Sequence, residues 1–152
     1  MPDHIQDTSS LDNAPAFVIT RVARLLRFDL WKLLEQSGTD LTPEQYFMLY
    51  RLHEGDGRSQ IELADRVLVD RPNVTRLVDA LEKKKLVRRA ADDQDRRKTL
   101  VFLTQEGRRL IRKLLKIIIG TRKRIFAGVT QKEVDLLKSV LLRVEENIQK
   151  DL

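Results

Sequence analysis

Residues 59–104 change their hydrophobic period from helical to alternating, and that change limits the fold more than any other feature of the chain. Ile61, Leu63, Ala64 and Val67 recur at helical spacing. Residues 68–70 break the pattern, and Val74, Leu77, Val78 and Leu81 resume it. Ser59 stands three residues before Glu62, which predicts a capping box at the start of the first helix. Asp70 can cap the second helix, with Pro72 in its first turn, where a missing N–H costs nothing. The period then drops to two. Val101 and Leu103 alternate with Leu100 and Phe102, and residues 86–91 supply a partner strand. The segment reads as two short helices followed by a two-stranded ribbon with the charged tip DDQDRRK.

The second helix is apolar on one side only. Its other side carries Arg71, Asn73, Thr75, Arg76 and Asp79, grouped near the helix start, where a recognition helix meets base edges. Taken together, the pieces resemble the winged helix-turn-helix of the MarR family of bacterial transcription regulators. The matching residues are Glu62-Leu63-Ala64, the run from Val74 to Asp79, Leu81-Glu82-Lys83, Leu86-Val87 with Arg89, and Asp95-Arg96-Arg97 through Leu103-Thr104. Their order and spacing match as well as their presence. The resemblance implies a mainly α fold with a small β-hairpin wing, dimeric through its N- and C-terminal helices. It also implies a regulator that binds an inverted repeat in double-stranded DNA, a repressor released by a ligand. One departure is clear: the family usually has Gly where this chain has Lys85, just after the recognition helix. A left-handed backbone there would cost Lys on the order of 1 kcal/mol relative to Gly. A helix that runs on would avoid that cost.

The flanks are helical. Val18, Ile19, Val22, Leu25, Leu26, Leu30 and Leu33 mark a stripe over residues 15–37, with Gly38 as its stop. Thr42, Pro43 and Gln45 open a helix that ends at Gly55. Thr104 caps a long helix through about Phe126, and Thr130 with Glu133 caps the last one, striped by Val134, Leu137, Val140, Leu141, Val144 and Ile148. The expected layout is a disordered tail over 1–14, a helical dimerisation region from 15–41 and 105–152, and a winged DNA-binding domain over 42–104. A domain of that size cannot cover three amphipathic helices, so a second copy of the chain is the expected cover.

The residues expected at DNA follow from this placement. Asn73 and Thr75 can bond bases or phosphates, and Arg76 can do either, a bidentate bond to guanine being the sharpest option. Arg71 joins them on the same face. Ser59 and Gln60 are expected to meet phosphate through backbone N–H groups. Arginines enter narrow minor grooves, where the potential is most negative. By resemblance Arg97 inserts, Asp95 holds its guanidinium, and Arg96 supports the wing or touches phosphate. The sequence leaves open which arginine enters. The family also includes members that release DNA on binding a small aromatic acid. Six of the eight aromatics fall within residues 17–50. Arg21, Arg24, Trp31, Tyr46 and Tyr50 are the candidate ligand residues.

Charge supports a polyanionic partner. Residues 1–57 carry 5 Lys/Arg against 9 Asp/Glu, residues 58–101 carry 12 against 8, and residues 102–152 carry 12 against 6. The positive charge thus sits on the motif and the C-terminal helices. The chain has no Cys, which excludes disulfides and thiol chemistry and suits a reducing cytoplasm. Only His4 and His53 are present, no nucleophile pairs with a base, and no glycine-rich phosphate loop occurs. An enzyme, a metal, a cofactor and a membrane partner are therefore not expected. The competing class is a helical protein–protein adaptor without DNA binding.

Overall fold

The computed structural model describes residues 10–67 and 71–150, apart from the side chains of Arg66, Val67 and Arg71. The expected cap Asp70 lies outside the described residues, as does the side chain of Arg71. The elements run α1 (Pro15–Gln36), α2 (Pro43–Glu54), β1 (Arg58–Ser59), α3 (Gln60–Val67), α4 (Arg71–Lys83), β2 (Val87–Ala91), β3 (Thr99–Leu103), α5 (Gln105–Ile125) and α6 (Gln131–Lys150). The chain divides into two compact units, one through Leu115 and one from Lys116.

In the first unit, the helices begin where the capping residues predict. Thr42 Oγ1 accepts from the Gln45 N–H at 3.3 Å, and Gln45 Oε1 accepts from the Thr42 N–H at 3.2 Å. Ser59 and Glu62 make the same reciprocal pair at 3.2 and 3.0 Å. Within the expected tail, Leu11–Asn13 form a short 3-10 turn, and Asp12 pairs with Arg21 at 3.3 Å.

The predicted two-stranded ribbon is a three-stranded antiparallel sheet in the order β1-β3-β2. Gly57, at φ +71°, turns the chain so that Arg58 lies opposite Val101 and Ser59 opposite Leu100. Two residues are too few to show a period, which is why β1 leaves no trace in the hydrophobic pattern. On the other side of β3, Val87 faces Leu103 and Arg89 faces Val101.

Two helices stop by the same device. Gly38, at φ +76°, donates to the Glu35 carbonyl at 3.0 Å, and Thr39 donates to the Leu34 carbonyl at 3.2 Å. This is a Schellman turn, which needs one left-handed residue. At the end of α4, Lys85 donates to Glu82 at 2.9 Å and Leu86 to Leu81 at 3.0 Å, with Lys85 at φ +59°. So the helix does not run on: Lys85 takes the left-handed position itself. Leu81 and Leu86, the apolar pair the motif favours, are both buried. The turn then anchors α5. Thr104 donates its N–H to the Leu86 carbonyl and its hydroxyl to the Lys85 carbonyl. Gly107 packs so close to Leu86 that an added Cβ would strike the Leu86 carbonyl.

The core gathers Leu34, Met48, Leu49, Leu52, Leu63, Val74, Val78, Leu81, Val101, Ile111 and Leu114, all fully buried. It draws on α1 to α5 and the inner face of the sheet, and it fixes α4 by one side only. In the second unit, Thr130 and Glu133 cap α6 reciprocally, with bonds of 2.8 and 3.3 Å. The Thr130 N–H and then its hydroxyl hold the Glu133 carboxyl below its ordinary pKa. No residue of α6 is buried, and Leu137, Val140, Val144 and Ile148 stand exposed. Among the described residues, no helix is long and apolar enough to cross a membrane.

Candidate nucleic-acid interface

With Val74, Val78 and Leu81 in the core, the opposite face of α4 turns outward. Asn73, Thr75, Arg76 and Asp79 are all exposed on it. Asn73, Thr75 and Arg76 occupy its first two turns, the part of a recognition helix that reaches base edges, and Asp79 opens the third.

The wing tip is built from local turns. Asp92 donates its N–H to the Lys98 carbonyl at 2.9 Å, closing the loop. Asp92 Oδ1 accepts from the Gln94 N–H at 3.0 Å, and Asp95 Oδ1 accepts from the Arg97 N–H at 3.1 Å. Asp95 also accepts from Arg97 Nε at 3.3 Å, so one carboxylate orients both the backbone and the guanidinium. The Arg97 side chain remains 93% exposed, and Arg96 is exposed beside it.

The start of α3 is held by its own side chains. The Ser59 N–H donates to Glu62, as the capping box predicts. The Gln60 side chain is held by two neighbours. Its Oε1 accepts from Arg89 Nε at 3.1 Å and from an Arg89 terminal nitrogen at 3.0 Å, and its Nε2 donates to Thr75 Oγ1 at 3.0 Å. Arg89 further donates to Asp79 at 2.6 Å and to Glu82 at 2.7 Å, while Glu82 accepts its backbone N–H at 3.1 Å. Burial opposes the charge on Arg89, but the bonds to Asp79 and Glu82 outweigh it and raise its pKa. One guanidinium thus ties α3, α4 and β2 together.

A second basic residue links α4 backwards. Lys84 Nζ bonds the Asp40 carboxylate at 2.8 Å and the Asp40 carbonyl at 2.9 Å, and reaches Gln45 Oε1 at 3.4 Å. Its hydrogen bond holds the exposed Asp40 carboxyl below the ordinary range.

Along α1 lies an open cleft of about 520 Å³, lined by Arg21, Arg24, Leu25, Arg27, Phe28, Trp31 and Pro43. Phe28 and Trp31 stack with centroids 6.0 Å apart. Of the candidate ligand residues, Arg21, Arg24 and Trp31 are brought together here. Tyr46 and Tyr50 are not on its walls: they pack 6.1 Å apart, with Tyr46 buried. On α2, Tyr46 faces the core and Tyr50 is half-buried beside it.

The MarR family model matches residues 41–99, from the buried Leu41 to the first residue of β3. The transcriptional regulator PA3341 is 31% identical, with a TM-score of 0.79 over 89% of this chain and 98% of its own. This chain belongs to the MarR family. It is a winged helix-turn-helix transcription regulator, and nothing among these likenesses favours an adaptor. Two other structures similar to this chain were solved with a partner bound. MepR of S. aureus, seen in complex with DNA, is 25% identical with a TM-score of 0.80, over 91% of this chain and 99% of its own. PcaV of Streptomyces coelicolor, seen with its natural ligand, is 27% identical with a TM-score of 0.74, over 90% and 95%.

Sequence reasoning named Arg89 only as part of a motif and missed Lys84. Arg89 did leave a signal: it shares a strand phase with Val87, so a charge falls on the face that packs inward.

Proposed function

We propose that this MarR-family regulator binds an inverted repeat in double-stranded DNA as a homodimer, acts as a repressor, and releases its site when a small aromatic acid occupies the α1 cleft. The observation that carries DNA binding is the outward face of α4, where Asn73, Thr75 and Arg76 are exposed while Val74 and Val78 are fully buried. MepR in its DNA complex supports the same use. Each protomer supplies one recognition helix to a major groove, the two entering about 10 base pairs apart. Asn73, Thr75, Arg76 and Arg71 contact bases and phosphates there. The wing carries Arg97, oriented by Asp95, into the adjacent minor groove, with Arg96 at the backbone.

Residues 15–41 and 105–152 form the dimerisation region, and 42–104 the DNA-binding domain. The exposed apolar residues of α1, such as Val22 and Leu26, and those of α6 support a second copy as their cover. In the cleft, the rings of Phe28 and Trp31 suit an aromatic ligand, and Arg21 and Arg24 suit its carboxylate. PcaV, solved with its own ligand, supports a regulated member of the family. Pro43 lines the cleft, and Gln45, two residues on, bonds Lys84 next to the recognition helix. Occupation of the cleft therefore bears on α4 through a short path. In this reading the protein is no enzyme and works in the cytoplasm. Selection of bound duplexes from a random-sequence pool tests it: an inverted repeat is expected, and the absence of any enriched sequence would contradict it.

A further inference from the structure

We propose that Arg89 is a positioning residue for DNA recognition, touching no DNA itself. It locks the recognition helix to the wing and fixes Gln60 so that this side chain offers only N–H donors to DNA. The inference rests on the DNA-binding reading above and concerns the polarity of that interface.

Donors and acceptors decide the orientation. A guanidinium only donates, so the Gln60 group facing Arg89 must be its oxygen, and that oxygen takes two N–H bonds, at 3.1 and 3.0 Å. The amide nitrogen is thereby turned to Thr75 Oγ1 at 3.0 Å. Flipping the amide would set N–H against N–H. What Gln60 presents beyond this network is its remaining N–H, which suits the base-edge acceptors purine N7, guanine O6 and thymine O4. The same guanidinium holds Asp79 at 2.6 Å and Glu82 at 2.7 Å, both on α4. Its backbone sits on β2 opposite Val101, so helix and wing are joined through one half-buried side chain. Three acceptors in three directions require the planar fork of arginine, and lysine cannot replace it.

Arg89→Lys keeps the charge and loses the fork. It is compared with wild type on two probes, a duplex recovered by selection and a scrambled duplex of equal length, each across a salt series. Affinity for the selected duplex should fall about ten- to a hundredfold, the cost of impairing a base contact in each half-site. Affinity for the scrambled duplex and the salt slope should not change, because Arg89 neutralises no phosphate. Gln60→Met removes the amide at similar length and keeps the two carboxylates on Arg89. It should lose specific affinity on the same scale with little change in melting temperature, and it tests the proposal even if Arg89→Lys does not fold. Wild-type affinity in a folded Arg89→Lys or Gln60→Met would overturn the proposal. So would a salt slope in Arg89→Gln shallower by about 1.8, the mark of an arginine that itself neutralises one phosphate in each protomer. Failure of the wild type to bind either duplex is a separate result that removes the DNA reading itself.

Discussion

Lys85 is the residue whose chemistry and conformation disagree most openly. It holds φ +59° at the one left-handed position of a Schellman turn, where Gly38 serves the same role after α1. Replacing Lys85 by Gly relieves the crowding of Cβ but frees the unfolded chain, so the two effects offset in part. A net gain below about 1 kcal/mol is expected for Lys85→Gly, read as a raised denaturation midpoint, with only a small loss of DNA affinity from the missing charge. A lowered midpoint would mean that the Lys85 side chain contributes more than its backbone costs. At the wing, Arg97 is 93% exposed and held by one carboxylate, so its removal leaves the core intact. Arg97→Ala removes a contact from each of two wings. At about 1–3 kcal/mol per contact, taken from the value of a base contact, the dimer loses about 2–6 kcal/mol, roughly thirty- to twenty-thousand-fold in affinity. Asp95→Ala should cost less, since it orients the arginine without touching DNA. Parallel titrations of Arg96→Ala and Arg97→Ala decide which arginine enters the groove, and a mild Arg97→Ala beside a severe Arg96→Ala would reverse the assignment.

At the scale of elements, legibility followed the strength of the local signal. The boxes at Thr42, Ser59 and Thr130 were readable because each places two complementary polar residues three apart, and both bonds depend on nothing beyond one helical turn. The buried faces of α3 and α4 were readable because Leu63, Ala64, Val74, Val78 and Leu81 repeat at helical spacing. The strand β1 was not, because its two residues join the sheet through a turn at Gly57 rather than through any pattern of their own. Long-range polar links were equally silent. Lys84 and Asp40 lie far apart in the chain, and only the fold brings their charges to 2.8 Å. The same holds for Asp56, which accepts the Leu103 N–H at 2.8 Å and pairs with Arg108. Among the expected interface residues, the outward set on α4 followed from periodicity. The orientation of the Gln60 amide followed from Arg89, a tertiary neighbour that no local rule names.

At the scale of the molecule, the proposed function couples two binding events on one chain. A ligand releases DNA only if it binds the free form more tightly than the DNA-bound form, and the two affinities must shift by the same factor. A panel of small aromatic carboxylates, titrated at up to about millimolar concentration into the protein–duplex complex, should include at least one that weakens DNA binding by about five- to 150-fold, the usual range of such coupling. Arg24→Ala should reduce that effect while leaving DNA affinity without ligand unchanged. If no acid in the panel releases DNA or shifts the melting temperature, the α1 cleft is not its site. The central claim lies beneath this: two copies of the chain read DNA through α4 and the wing. Binding of the selected duplex across a salt series, with stoichiometry from light scattering, tests it most directly. Two protomers per duplex are expected, with a logarithm of affinity that falls linearly with that of salt, by about 0.9 for each phosphate neutralised. A preference of about a thousandfold or more over a scrambled duplex is expected as well. A single protomer on the duplex, equal affinity for the scrambled sequence, or binding indifferent to salt would contradict the claim.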